Sequence, residues 1–579
     1  MASTRRAVPL LLLLVLAACS GWPSSCGRST PPGAGAPTLR GGEIVASLRS
    51  EPPLYNRYVD RGAHAETLSL LTHARLARVN RATDELEPWL AESWNPEPDG
   101  LTHTVKLRRG IRFSDGTPFT SADVIFSFRA LYDPGVNSSL ATAINANGRP
   151  LEVSAPDEST VIVRFPVPYA PGLRLLDHLP ILPRHKLEGP LNDGRFADAW
   201  KVGTPFDEIV GLGPFVLSEH VSGQRLVFVR NPHYWRNDAA GVQLPYLDKI
   251  TVLLIPDQNA EALRVESGDV DLMVNGDIRP EDYAAFTRAA DQGRLRLLEV
   301  GTGLDPNMLW FNLSPSRAGQ KRWLHQRAFR QAVSFAADRQ AIVNAAFLGE
   351  GVPVHGPITP GNKTWYSETI PKYDHNPAKA RQLLSGLGLV DRDGDGILED
   401  AAGEQVRFSL VTQRGHLRER IASILQQQLR QVGLLADVVG LDTQSMQRRA
   451  GSGDYDSIFY GFQTSSTDPA LNAEFWLSSG NFHVWNPAQK TPATDWERRI
   501  DDLMRRQIEA PDLGERKRLM AEAQRILGEE LPAIFFVAPK VILVVSSRVA
   551  NATPALQTPQ LLWAADTLAV TAPLNRAGS

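Results

Sequence analysis

Residues 86–131 read LEPWLAESWNPEPDGLTHTVKLRRGIRFSDGTPFTSADVIFSFRAL, and their local chemistry lays out a small folding unit. Pro88-Trp89 leads into residues 90–94, Leu-Ala-Glu-Ser-Trp, whose composition predicts a short helical run. Asp99-Gly100 predicts a turn, because Gly takes positive φ without steric cost. Residues 103–108 alternate polar and apolar, the period-two pattern of a half-buried strand. A second turn, Ser114-Asp115-Gly116-Thr117-Pro118, precedes Thr120-Ser121-Ala122-Asp123. There the Thr120 hydroxyl can accept an early helix N–H while Asp123 answers it near the positive helix end, a capping box. Val124, Phe128 and Leu131 continue that helix as an apolar stripe.

Taken together and in this order, Pro88, residues 90–94, Asp99-Gly100, Leu107-Arg108, Gly110, Phe113, residues 115–120, Asp123-Val124 and residues 126–128 resemble the signature of extracellular solute-binding protein family 5. These are the dipeptide- and oligopeptide-binding proteins of ABC importers. The resemblance implies an α/β, two-lobed periplasmic binding protein fold of the class II type, with an additional subdomain in the first lobe. On that pattern residues 40–80, 207–300 and 531–579 form lobe I, residues 81–206 its extra subdomain, and residues 301–530 lobe II. The signature marks the fold and not the pocket.

The first 18 residues carry Arg5 and Arg6 ahead of an apolar run at residues 10–16, too short to cross a bilayer, which takes about 20 residues. This is the pattern of a signal peptide. It ends in Leu16-Ala17-Ala18-Cys19, which resembles the bacterial lipobox and implies acylation of Cys19 and a membrane anchor. The alternative is a soluble exported protein that loses Cys19 with its leader. Cys26 is the other cysteine, so with Cys19 acylated no intrachain disulfide forms. Residues 20–37 are rich in Ser, Gly and Pro and predict a disordered tether with a reach on the order of 23 Å, the body of a linker at residues 19–39.

Lys plus Arg total 61 and Asp plus Glu 64 among 579 residues, with no long run of either sign, which argues against a nucleic-acid partner. Beyond the leader no apolar run approaches membrane-spanning length. Further along, residues 151–165 predict two strands joined through Pro156-Asp157, and residues 211–217 resemble the family's glycine-proline turn. A strand and not a helix follows Pro214, which argues against a phosphate loop at Gly211-x-Gly213. Asp269 and Asp271 predict solvated turn carboxylates. Asp338 is the expected cap of a helix ending at Gly349, and Ile421, Leu425, Leu429 and Val432 predict a regular amphipathic helix stopped by Gly433.

Motifs of common catalytic centres are missing: no H-E-x-x-H, C-x-x-C, G-x-S-x-G or Walker A sequence occurs, and the twelve histidines are scattered. We therefore expect no enzymatic activity; an envelope hydrolase assembled from distant residues is the rival from another class. Asp391, Asp393 and Asp395 stand at positions 1, 3 and 5 of a calcium-type loop with Gly396 at position 6, but position 12 is Ala402. An acidic glycine-rich turn is the preferred reading. A weak calcium site, with Glu399 or Glu404 as substitute ligand, is the alternative, and no other cofactor is expected.

Residues 461–469, GFQTSSTDP, resemble the family's cleft loop that begins with an aromatic, here Phe462, and ends in Asp-Pro. In peptide-binding members an aspartate three residues after that aromatic pairs with the peptide's α-ammonium. Here the position is Ser465, which cannot neutralise a charge, and Asp468 is the candidate substitute. Gln413-Arg414 matches a ligand-facing loop, where Arg414 could fork onto a carboxylate. Trp476 and Trp485 are candidate pocket walls, with ordinary core packing as the alternative. The resemblance implies a monomeric receptor that passes a peptide or peptide-like solute to ABC permease transmembrane subunits. An oligosaccharide or chelated nickel is the alternative ligand, and a signalling receptor of the same fold the alternative role.

Overall fold

The computed structural model describes residues 40–571 apart from Arg61, Asn275, Asp277, Ala318, Gln320 and residues 462–466. The expected signal peptide, the linker and Cys19 therefore lie outside the described residues, as do Phe462 and Ser465. Two mixed sheets define two lobes. The first orders its strands Leu295–Thr302, Val537–Ser546, Leu272–Met273, Glu43–Leu48, Lys249–Leu254, Arg225–Arg230 and Phe215–Val221, with Gly351–Pro353 paired beside Val537–Ser546. Glu43–Leu48 lies at its centre, parallel to both Lys249–Leu254 and Leu272–Met273. Ile44 and Ala46 on one face and Val45 and Ser47 on the other are all buried, as expected of a strand covered on both faces.

The second sheet orders Leu435–Leu441, Arg407–Gln413, Ser457–Phe459, Met308–Phe311 and Ala533–Phe535, the first three mutually parallel. The helix His416–Arg430 covers it. Ile421, Leu425 and Leu429 are fully buried against Phe408 and Leu410, and each contributes roughly 1.5–3 kcal/mol through burial. Gly433 follows at φ +85°, a conformation that costs a residue with a Cβ but not glycine.

Two crossovers carry the chain directly from a strand of one sheet to a strand of the other, and Gly351–Pro353 makes a further visit to the first sheet. Leu295–Thr302 belongs to the first and Met308–Phe311 to the second; Ala533–Phe535 belongs to the second and Val537–Ser546 to the first. These crossovers are bonded to each other: Phe536 N–H donates to the Asn307 carbonyl (3.0 Å), Asn307 N–H to that of Val537 (2.8 Å) and Gly303 N–H to that of Pro539 (2.8 Å). Gly361 packs so tightly on this junction that a Cβ there would sit 2.0 Å from the Thr302 carbonyl oxygen.

The stretch 86–131 supplies two strands, Ala91–Pro96 and Thr102–Leu107, of a four-stranded antiparallel sheet completed by Thr160–Arg164 and Glu152–Asp157, and the helix Ser121–Tyr132 that covers it. The capping box forms: Thr120 N–H donates to Asp123 Oδ2 (2.9 Å) and the Thr120 hydroxyl accepts from Ala122 N–H (3.3 Å). Val124, Phe128 and Leu131 are buried in a core continuous with Ile44, Leu247 and Ile250 of the first sheet.

Four sequence expectations are corrected. Residues 90–94 are not helical, because Ala91–Pro96 is a strand paired with Thr102–Leu107. A helix of about one turn has no cooperative stability, and the ladder outweighs local preference. The turn expected at Pro156-Asp157 falls at Glu158-Ser159. Leu348, not Gly349, takes the first left-handed position after Arg339–Phe347, although Asp338 caps that helix as expected through Ala341 N–H (2.9 Å). Asp271 is not solvated: it is buried, accepts Val45 N–H at 2.8 Å and pairs with Arg548 at 2.5 and 2.7 Å.

The Gly211-x-Gly213 pair has a packing role. A Cβ on Gly211 would lie 1.9 Å from the Thr72 carbonyl oxygen, and one on Gly213 would lie 2.4 Å from the Thr72 carbonyl carbon. Both glycines therefore let the backbone abut the end of the helix Ala63–Thr72. Among the described residues no helix is long and apolar enough to cross a membrane.

Candidate ligand-binding cleft

The second sheet's winding locates a crevice. From Arg407–Gln413 the chain runs through the helix His416–Arg430 to Leu435–Leu441 on one side. It then returns through Thr443–Ser452 to Ser457–Phe459 on the other side. Where the direction reverses, the loops beyond the carboxyl ends of Arg407–Gln413 and Ser457–Phe459 diverge, and open α/β sheets bind ligands at such points. Gln413, Arg414, Tyr460 and Gly461 leave the sheet at this place. Thr467 meets the opposite lobe. The Thr467 hydroxyl donates to Asp84 Oδ1 (2.6 Å), and Arg174 Nη2 donates to both Asp84 Oδ1 (2.6 Å) and Thr467 Oγ1 (3.2 Å). Nearby, Ala170 N–H donates to the Ile508 carbonyl (2.6 Å).

One cation stands in the crevice without a carboxylate partner among the described residues. Arg418, in the first turn of His416–Arg430, lies over the Tyr460 ring at 4.6 Å and donates to Gln413 Oε1. Gln413 is held in turn by Thr443 Oγ1, to which its Nε2 donates at 2.6 Å. Tyr460 is anchored through its backbone: its carbonyl accepts the Trp310 indole N–H (3.1 Å) and its N–H donates to the Met308 carbonyl (3.0 Å). Burial pulls the Arg418 guanidinium below its ordinary pKa, with Tyr460 opposing. The guanidinium is thus partly shielded from water with no carboxylate among the described residues paired to it, which makes an incoming anion favourable.

The other candidate residues are distributed unevenly. Arg414 is exposed beside the same crevice, its backbone N–H donating to the Leu441 carbonyl (2.6 Å). Trp476 is buried, packs on Phe475 at 5.1 Å and lines a narrow hollow with Leu304, Ile358, Asn362 and Thr467. It therefore sits between the crossover and the cleft loop.

Asp468 does not present a spare charge. It is 5% exposed, pairs with Arg516 Nη2 at 2.7 Å, and accepts Ala470 N–H at 3.0 Å. Trp485 is likewise not a pocket wall. It stacks on Trp310 at 5.7 Å and 15°, donates its indole N–H to Glu497 (3.0 Å), and lies in the core of the second lobe.

Two further hollows are present. One of about 730 Å³ opens between the lobes, with Tyr132, Asn137 and Tyr169 on one wall and Leu471, Glu474 and Ile508 on the other. Another of about 820 Å³ lies wholly in the first lobe, lined by Arg108, Arg112, His233 and Trp235. That second hollow is lined by no residue of either crossover or of the loops that follow Arg407–Gln413 and Ser457–Phe459, so we do not assign it as the ligand site. Arg418, Tyr460 and Thr467 were missed from sequence. The available signal was the start of the helix: with His416 as its first residue, Arg418 falls in the first turn and faces the strand ends, whereas Arg414 stays in the loop.

Comparison with known proteins agrees with this architecture. Residues 85–483 match the model of the bacterial extracellular solute-binding proteins, family 5 Middle. A probable ABC transporter-binding protein of Deinococcus radiodurans is 28% identical over 506 residues, covering 83% of this chain and 84% of its own. The oligopeptide-binding protein AppA of Bacillus subtilis is 26% identical over 544 residues, covering 92% of each. Among solved structures, AppA of Bacillus subtilis in complex with a nonapeptide aligns with a TM-score of 0.71 at 23% identity, covering 92% of this chain and all of its own. NikZ from Campylobacter jejuni with Ni(L-His) gives 0.72 at 21%, with 92% and 99% coverage. MelB of Agrobacterium fabrum with stachyose gives 0.73 at 24%, with 92% and 85% coverage. At these identities the structural likenesses establish the two-lobed fold, while the family model spans well over half of the sequence. The chain belongs to the bacterial extracellular solute-binding proteins of family 5.

Proposed function

We propose that the protein is the receptor of an ABC importer, capturing a peptide-like solute that bears a carboxylate and presenting it to the permease transmembrane subunits. The observation that carries this reading is Arg418: partly shielded from water, oriented by Gln413 and Tyr460, and lacking a described carboxylate partner. A guanidinium so placed suits a carboxylate by forked hydrogen bonding. Countercharge for an α-ammonium is weak on the same side, since Ser465 stands where peptide-binding relatives carry aspartate and Asp468 is neutralised by Arg516. The ligand is therefore recognised by its acid end, and its amino end is not required. Relatives that bind an oligopeptide support the peptide class. The protein works outside the cytoplasm as a monomer, held to the membrane through acylated Cys19 behind a short tether, and it leaves its ligand chemically unchanged.

Calorimetry with three forms of short peptides tests this: free, N-acetylated and C-amidated. Free and N-acetylated peptides are expected to bind comparably, and C-amidation or Arg418→Gln to weaken binding by tenfold or more, on the order of 1.4 kcal/mol. Retention of affinity after both amidation and Arg418→Gln overturns the carboxylate assignment. A response to oligosaccharides or chelated nickel but to no peptide overturns the peptide class.

A further inference from the structure

Between the helix Pro377–Gly386 and the strand Arg407–Gln413 the chain forms a hairpin, closed by mutual backbone bonds of Val390 and Glu399 (3.1 and 2.9 Å). Its tip carries Asp391, Asp393 and Asp395, folded back by their own turns. Asp391 accepts Gly394 and Gly396 N–H (2.7 and 3.0 Å), and Asp395 accepts Ile397 N–H (2.7 Å). By itself this is a solvated acidic turn.

Glu399 changes that interpretation. Its side chain is turned under the loop, the residue is only 5% exposed, and one carboxylate oxygen of each of the four acids lies within 4.8 Å of the others. Glu399 Oε2 accepts Arg392 N–H (2.7 Å), but Oε1 is buried with no hydrogen-bond partner. The neighbouring cation does not relieve it. The Arg392 guanidinium donates to the backbone carbonyls of Glu399 (3.3 Å) and Asp400 (2.6 Å), and no described basic side chain pairs with any of the four carboxylates.

We propose that Asp391, Asp393, Asp395 and Glu399 form a calcium site. An orphaned buried carboxylate oxygen costs free energy unless something electropositive meets it, and four converging carboxylates repel one another without a counterion. An all-oxygen set at loop positions 1, 3 and 5, with glycine at 6, suits a hard cation with flexible coordination. Magnesium demands stricter octahedral geometry and keeps its waters, so the larger ion is preferred. In this loop the buried acid that calcium loops usually place at position 12 is supplied from position 9, which explains why Ala402 at position 12 is tolerated. Leu398 N–H donates to the Gly433 carbonyl (2.9 Å) and Val406 N–H to that of Leu398 (2.7 Å). The ion would thus staple the hairpin to the end of His416–Arg430 and to the sheet, stabilising the second lobe without touching the cleft.

The test is calorimetry and thermal unfolding of the whole exported chain after chelator treatment, with calcium and magnesium titrated separately. One calcium site in the 10⁻⁴–10⁻³ M range common to extracytoplasmic modules is expected, with a rise in thermal midpoint and a weaker magnesium response. Glu399→Gln and the exposed Asp393→Asn should each weaken it by about tenfold or more, with circular dichroism verifying that both variants fold. Absence of heat and of any thermal shift at millimolar calcium overturns the proposal. So does calcium binding undiminished in both folded variants, and an equal response to magnesium contradicts the choice of ion.

Discussion

His73 couples packing to acid stability through a single side chain. It closes the helix Ala63–Thr72, is 4% exposed, and packs its ring 5.5 Å from that of Trp200. Burial, with Arg75 nearby, holds its pKa down to about 3. The unfolded chain titrates this group near 6.5, so below that pH the unfolded state takes up a proton that the folded state refuses. Its contribution is complete above about 6.5 and is lost as pH falls toward 3, amounting to about 3 kcal/mol at pH 4. Urea midpoints at pH 7 and pH 4 should therefore converge in His73→Gln relative to the parent; an identical drop in both contradicts this account. Arg418 is the opposite case: its charge is retained despite partial burial, and that retention marks it for an anion.

At the scale of elements, the ion pair of Asp468 and Arg516 fastens the end of the cleft loop and the short Pro469–Asn472 turn to the helix Leu513–Glu530. Both side chains are 7% exposed. Removing one charge from such a pair leaves the other buried and uncompensated, at a cost of about 3–5 kcal/mol. Asp468→Asn keeps the carbonyl oxygen that caps Ala470, so chemical denaturation should report the lost pairing itself. Peptide affinity measured under native conditions should be nearly unchanged. A large loss of affinity without loss of stability would return Asp468 to the ligand.

Elements with strong local signals were legible. The capping box at Thr120-Asp123 and the Ile421-Leu425-Leu429 stripe are set by neighbours in sequence, and both appear as read. Residues 90–94 misled because their partner strand begins at Thr102 and is invisible to local propensity. The buried roles of Asp271 and Asp468 depend on Arg548 and Arg516, which are 277 and 48 residues away. Their carboxylates therefore looked free in sequence. Trp485 was ambiguous for a related reason: an aromatic residue carries the same chemistry into a core as into a pocket.

For the whole molecule, what matters is that short segments at residues 302–308 and 535–537 join the two sheets, with Gly351–Pro353 paired beside the second of them. Their mutual hydrogen bonds make a narrow, ordered hinge, while Thr467 and Ile508 meet Asp84, Arg174 and Ala170 across the cleft. A ligand that touches both walls adds to these contacts and shifts the balance toward closure. Small-angle scattering of the purified protein, titrated with the ligand that calorimetry identifies, tests this most directly. The predicted result is a smaller radius of gyration at saturation, with the ligand recovered intact by mass spectrometry. An unchanged radius at full occupancy, or conversion of the ligand by the protein alone, would contradict it.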